Sequence, residues 1–199
     1  EEYIASLNEF LQQIKTIEKV ELLGYHAMAV KKYEKLVAAN EANDAAILRQ
    51  MNASSSPTRT YTGNGKFQWP VPASSRISSE YGYRTSPISG KREFHNGLDI
   101  PAPYGSAIVA TEAGTVTYSG WMNGYGYTII IDHGSGITSL YGHNSSLVAK
   151  KGAKVSKGQT VAKCGSTGWS TGNHCHFEVR VNGSAVSPEP YLGVKNVSY

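Results

Sequence analysis

Residues 127–143 read YTIIIDHGSGITSLYGH. Two runs rich in β-branched and aromatic residues flank Asp-His-Gly-Ser-Gly, whose glycines accept the positive φ that a tight reversal demands. This is hairpin chemistry, two antiparallel strands joined by a short turn. The same grammar repeats on both sides. SAIVA (106–110) and GTVTYSGW (114–121) precede it, while QTVAKCG (159–165) and HCHFEVRVNG (174–183) follow, with a second turn signal in VNGS (181–184). No helical segment of useful length follows residue 67. Residues 67–199 are therefore expected to form a mainly β domain built on an antiparallel sheet.

Upstream the period changes. The stretch MNASSSPTRTYTGNGK (51–66) is rich in Ser, Thr and Gly and nearly devoid of apolar residues, which places a linker at 53–66. Residues 1–52 contain no proline and a single glycine, Gly24. Apolar residues recur there at helical spacing: Ile4, Leu7, Leu11, Ile14 and Ile17, and further on Leu36, Val37, Ile47 and Leu48. The pattern predicts an α-helical, coiled-coil-like region. The heptad falters where Glu18 and Glu21 replace apolar residues, and Gly24 offers a kink or turn between two helices. Such a stripe needs burial. Its expected partner is a second copy, a protein partner or its own second half; docking into the groove of the β domain ranks below these. His26 reads as a surface or seam residue of this region.

The bulk numbers narrow the function. The chain has 199 residues, 21 glycines and 13 tyrosines, with 17% charged residues and a net charge of +4. The positive charge is spread without a dense Lys/Arg stripe, so nucleic acid is not an expected partner. No run of about 18 apolar residues is present, as a membrane-spanning helix requires. The chain opens without Met or a signal peptide inside a charged periodic segment, and reads as a processed or truncated piece of a longer protein.

Four histidines stand out: His95 in FHNGLDI, His143 in LYGHNSS, and His174 and His176 in NHCHFEV. On a strand, residues i and i+2 share a face, so His174 and His176 project together and Cys175 points away. His95 and Asp99 offer an imidazole and a carboxylate four residues apart, with Gly97 between them to let the backbone turn. One strand histidine would complete a His₂Asp zinc set; the other, with His143, would flank the water. Spacing alone does not say which strand histidine is which. His133, in the DHG turn, reads as structural.

Taken together, SSEYGYR, FHNGLDI, GTVTYSG, YGH, VSKGQTVA and GSTGWSTGNHCHFEV resemble the lysostaphin/LytM-type zinc endopeptidases, which cut the cross-linking peptides of bacterial cell walls. The resemblance covers about residues 67–193 and leaves the helical half and linker outside. It implies one Zn²⁺ per chain held by His95, Asp99 and His176. It makes His143 and His174 the pair that orients and deprotonates the attacking water and stabilises the oxyanion. Two departures stand out: Asn173 where the family usually has proline, and Cys175 where it has an aliphatic residue. Neither removes a ligand or a catalytic histidine, whereas degenerate family members that act as activators have lost ligands.

The expected activity is thus hydrolysis of peptidoglycan peptide stems, outside the cell or at its surface, with possible homodimer or partner contacts through the N-terminal helices. The alternative is a non-hydrolytic wall-binding or regulatory scaffold. Tyr83, Arg84, Trp121, Tyr125 and Trp169 are candidate substrate-groove residues. Cys164 and Cys175 bracket the GSTGWSTG loop either as buried thiols or as a disulfide that would stabilise by roughly 3 kcal/mol.

Overall fold

The computed structural model describes residues 66–193 continuously, together with residues 31, 32, 35, 38, 39 and 42–49. The chain divides into two compact units, Glu1–Asn40 and Glu41–Tyr199. In the first, the described residues are helical. His26 and the linker expected at 53–66 lie outside the described residues, apart from Lys66. The second unit starts inside the segment that the sequence assigned to the helical half.

The expected β domain is what forms. Among the described residues twelve strands follow one another: β1 (Gly82–Thr85), β2 (Arg92–His95), β3 (Leu98–Pro101), β4 (Ala107–Val109), β5 (Gly114–Met122) and β6 (Gly126–Gly134), then β7 (Ile137–Asn144), β8 (Ser146–Leu147), β9 (Lys154–Val155), β10 (Thr160–Lys163), β11 (His174–Val181) and β12 (Ser184–Val186). The main sheet runs β12-β11-β7-β6-β5-β9, and β3 also pairs with β11. All of its pairs are antiparallel. A three-stranded sheet, β4-β10-β8, and the β1-β2 hairpin complete the fold. The YTIIIDHGSGITSLYGH segment supplies the central β6–β7 hairpin, with Gly134, Ser135 and Gly136 all at positive φ in its turn. The VNGS turn joins β11 to β12 through Asn182 and Gly183, again both at positive φ.

Strand alternation splits the main sheet into two faces. Val116, Ile129, Ile131, Tyr141, Phe177 and Val179 point into the main core, shared with Ile108, Val161 and Ala162 of the smaller sheet. The opposite face carries a row that crosses four strands: Tyr118 pairs with Ile130, Ile130 with Leu140, and Leu140 with Glu178. Met122, Ile130 and Leu140 form a second, smaller cluster, against which Ile47 and Leu48 of the helical segment 42–49 pack. Fully burying one such side chain is worth roughly 1.5–3 kcal/mol. The far end of the row, at Glu178, leads into the histidine cluster.

Candidate metal centre

Strand β11 builds the centre by alternation. His174, His176, Glu178 and Arg180 share one face, while Cys175, Phe177 and Val179 enter the core. Register then brings a carboxylate alongside, because Asp99 on β3 is the cross-strand partner of His176. On its other side His176 faces Gly142 of β7. A Cβ there would lie 3.4 Å from the Tyr125 ring and 3.5 Å from Cβ of His176, in ordinary contact with both.

His95, the last residue of β2, reaches the centre through the corner at Gly97. The sequence reading gave Gly97 the task of turning the backbone. The structure gives a steric reason: a Cβ at 97 would sit 2.3 Å from the Phe177 carbonyl oxygen. The β2–β3 corner approaches β11 too closely for any side chain at that position.

Three donor atoms converge. His95 Nε2 lies 3.1 Å from Asp99 Oδ1 and 3.1 Å from His176 Nδ1, and His176 Nδ1 lies 2.9 Å from Asp99 Oδ1. A tetrahedral zinc with bonds of about 2.0–2.1 Å needs ligand atoms roughly 3.3 Å apart, so this triangle is close to the required size. The second ring nitrogens set the tautomers. His95 Nδ1–H donates to the Glu80 carbonyl at 2.7 Å, and His176 Nε2–H donates to Glu178 Oε1 at 3.0 Å. In the neutral rings, three lone pairs then face one another at a buried point, an arrangement that calls for a cation. The donor set fits zinc.

The electrostatics agree. Burial opposes charge on Asp99, yet the surrounding His174, His176 and His95 side chains hold its carboxyl well below the usual range. Burial likewise opposes charge on His176, but Asp99 and Glu178 outweigh it and raise its pKa to about 9. The pocket favours positive charge, whether a proton or a metal supplies it. Behind His176, Glu178 is fully buried and bonded to Arg180 Nε at 2.6 Å and to the Tyr125 hydroxyl at 2.8 Å. Burial pushes the Glu178 carboxyl up, and Arg180 and His176 bring it down to about 2.

Two further histidines flank the triangle. His143, next to last in β7, has φ at 59° and is buried, with Nδ1–H donating to the Thr167 carbonyl at 2.7 Å. Burial, then the neighbouring His176 and His174, lower its pKa to about 3, so the ring stays neutral and Nε2 is the basic nitrogen. His174 Nδ1–H donates to the Gly172 carbonyl at 2.8 Å, and its Nε2 is 3.5 Å from Asp99 Oδ1. The His143 and His174 ring centroids are 4.7 Å apart, and those of His143 and His176 5.8 Å.

The candidate groove residues divide. Arg84 is held by the centre: Nη1 donates to Asp99 Oδ2 at 2.8 Å and to Ser79 Oγ at 2.7 Å, while Nε bonds Glu93 at 2.9 Å. Tyr125 joins the centre through its hydroxyl contact with Glu178 and packs 5.4 Å from the His176 ring. Trp169 is partly exposed, with its backbone N–H bonded to the Gly124 carbonyl at 2.9 Å. Tyr83 is exposed on the β1–β2 hairpin against Phe94, beneath the Arg92 guanidinium. Trp121 stacks edge-on to Tyr127, on the face of β5 opposite Met122. Glu178, Arg180 and Asp44, absent from the sequence reading of the site, all prove to be connected to it. The continued period of two in H-C-H-F-E-V-R puts the first pair on the histidine face without revealing its burial; no local signal points to Asp44.

His133 is structural, as expected: Nδ1 bonds the Ala113 carbonyl at 2.9 Å and Nε2 lies 2.8 Å from Ser139 Oγ. Cys164 and Cys175 carry free, buried thiols, not the disulfide weighed from sequence. Cys164 Sγ–H points at the Ala102 carbonyl, 3.6 Å away.

Comparison with known proteins converges on one family. Residues 93–188 match the profile of Peptidase family M23. The chain is 42% identical over 113 residues to the DD-carboxypeptidase/endopeptidase Mpg of Neisseria meningitidis, covering 57% of this chain and 26% of that protein. It is 39% identical over 97 residues to the murein hydrolase activator EnvC of Escherichia coli, covering 49% of this chain and 23% of that protein. The match thus spans about a quarter of either relative. Among solved structures, the catalytic domain of the antimicrobial peptidase lysostaphin from Staphylococcus simulans superposes with a TM-score of 0.55 at 31% identity, covering 59% of this chain and 92% of that domain.

Proposed function

The chain belongs to Peptidase family M23, and on that premise we propose that it is a zinc-dependent endopeptidase that hydrolyses peptide cross-links of bacterial peptidoglycan. The observation that carries this reading is the complete donor triangle of His95, Asp99 and His176, accompanied by two further histidines whose Nδ1 atoms are held by backbone carbonyls. These three residues would hold one zinc per chain. Zinc, when bound, supplies a Lewis acid that acidifies water and polarises a peptide carbonyl.

The remaining work falls to side chains. His143 presents Nε2 to accept the water's proton, its Nδ1–H being engaged elsewhere. The Thr167 carbonyl fixes its tautomer and aim. His174, tethered to the Gly172 carbonyl, presents Nε2 beside the Asp99 carboxylate and the His143 ring, from which the water's proton can pass to it and be donated to the developing oxyanion. Arg84 holds the outer oxygen of Asp99 and leaves Oδ1 for the metal. Such a protein works outside the cytoplasm, at the cell wall; among the described residues no helix is long and apolar enough to cross a membrane.

A second reading draws on the relative named a murein hydrolase activator: the domain binds the wall or a partner hydrolase without cutting. Incubating the zinc-loaded chain with defined muropeptides and weighing the products separates the two. Products gaining one water per cut bond support the endopeptidase; intact cross-links with zinc bound support the scaffold.

A further inference from the structure

The helical segment 42–49 belongs to the same compact unit as the β domain. Its Asp44 is buried at 6% exposure, although it lies in a segment otherwise largely exposed. Both carboxylate oxygens are used. Oδ1 accepts the Asn123 backbone N–H at 3.0 Å, and Oδ2 accepts the Gly124 N–H at 2.8 Å. A carboxylate gripping two consecutive amides fixes the β5–β6 turn more firmly than water would, since charge-assisted bonds are the stronger kind. Ile47 and Leu48 seat the segment on Met122, Ile130 and Leu140.

That turn is coupled to the histidines by backbone contacts. The Gly124 carbonyl accepts from Trp169 N–H at 2.9 Å, and the Tyr125 carbonyl accepts from His143 N–H at 2.7 Å. A Cβ on Gly126 would lie 2.4 Å from the Thr167 carbonyl carbon, and one on Gly168 would lie 2.3 Å from the Gly126 nitrogen. The turn and residues 167–169 therefore meet backbone to backbone, with no slack for either to move alone. Thr167 is the residue whose carbonyl orients His143 Nδ1–H. Tyr125, in the same turn, reaches Glu178 and through it His176.

We propose that Asp44 is a positioning residue for the site: it clamps the Asn123–Gly124 turn, and so fixes Tyr125 and Thr167, which together hold His143. The part of this proposal that concerns catalysis rests on the endopeptidase reading above; the part that concerns the clamp does not. The helical half is then not merely a tether, because its last described turn completes the catalytic unit from about 80 residues away in sequence.

The test uses the full chain with zinc and the variants Asp44→Ala and Asp44→Asn. Amide hydrogen exchange at Asn123, Gly124 and His143 reads the clamp, and steady-state cleavage of a muropeptide reads its consequence. Asp44→Ala is expected to speed exchange at all three amides by about tenfold or more. It should lower kcat by roughly 10- to 100-fold with zinc content unchanged, the scale set by misplacing a catalytic group by about an ångström. Asp44→Asn keeps one acceptor oxygen and should fall between Asp44→Ala and the unaltered chain. Unchanged exchange at His143 overturns the proposal, as does kcat that stays level or rises while exchange speeds up. If the unaltered chain cuts nothing, the endopeptidase reading fails, and exchange at His143 alone decides the clamp.

Discussion

His176 donates its Nε2–H to Glu178 Oε1, two residues further along the same strand, at 3.0 Å. The contact is local, yet it decides which imidazole nitrogen faces Asp99 and His95. A protonated Nε2 leaves Nδ1 as the lone-pair donor, and Nδ1 is the nitrogen within 3.1 Å of both other donors. Glu178 can do this because Arg180 and Tyr125 keep its buried carboxylate charged and bonded.

Replacing Glu178 by Gln keeps an acceptor in place but removes the charge behind His176. Zinc affinity is expected to fall by about 10- to 100-fold, the usual cost of altering the partner of a metal-bound histidine. Competition with a chelator of known affinity measures it. Glu178→Ala is predicted to be worse in another way, since Arg180 then loses its buried partner at a cost of roughly 3–5 kcal/mol. A denaturant titration separates that loss of stability from the loss of metal.

Gly97→Ala tests the reason given for that glycine. With a carbonyl oxygen 2.3 Å from the new Cβ, the β2–β3 corner must lift off β11. The expected cost is roughly 1–3 kcal/mol of stability, as in other overpacked sites. Zinc affinity should drop with it, because His95 and Asp99 sit on either side of the corner. A melting curve together with zinc titration checks both.

Alternation made His174 and His176 legible from sequence, and the turn chemistry of DHGSG made the central hairpin legible. The same period continues through Glu178 and Arg180, but charged residues on a strand ordinarily mark a solvated face, so the pair gave no sign of being buried behind His176. Arg84 read as a groove residue because sequence shows a guanidinium without showing its partners; these are the carboxylates of Asp99 and Glu93. Gly97 looked like a turn glycine because a close approach to a strand 80 residues away leaves no local trace. Asp44 was hidden by the same distance and by a helical pattern that pointed to self-association.

Acid should weaken the fold through His133. Burial holds this imidazole below the usual histidine pKa. As pH falls below about 6.5 the unfolded chain takes up a proton that the folded chain refuses, so stability is full above that pH and declines beneath it. One such group contributes up to about 1.4 kcal/mol per pH unit in that window. Denaturant unfolding at about pH 7 and about pH 5.5 should show a smaller pH-dependent loss in His133→Gln than in the unaltered chain. Equal losses would place the acid sensitivity elsewhere.

Truncation locates the edge of the unit that carries the histidine cluster. Removing residues 1–40 is expected to leave the melting temperature of the remaining unit nearly unchanged. Removing residues 1–52 takes away Asp44, Ile47 and Leu48, uncovering Met122, Ile130 and Leu140. The predicted further loss is roughly 2–4 kcal/mol. Thermal melts of the two truncations check it, and equal melting temperatures would mean that segment 42–49 adds nothing to the fold.

The most direct measurement compares zinc content and muropeptide cleavage in Asp99→Ala and His174→Ala. Asp99 contributes an oxygen to the donor triangle, whereas His174 stands beside it with Nε2 3.5 Å from that oxygen. Asp99→Ala is predicted to lose zinc and cleavage together. His174→Ala is predicted to keep about one zinc per chain and lose cleavage. A His174→Ala protein without zinc, or an Asp99→Ala protein that keeps both metal and activity, would contradict the account.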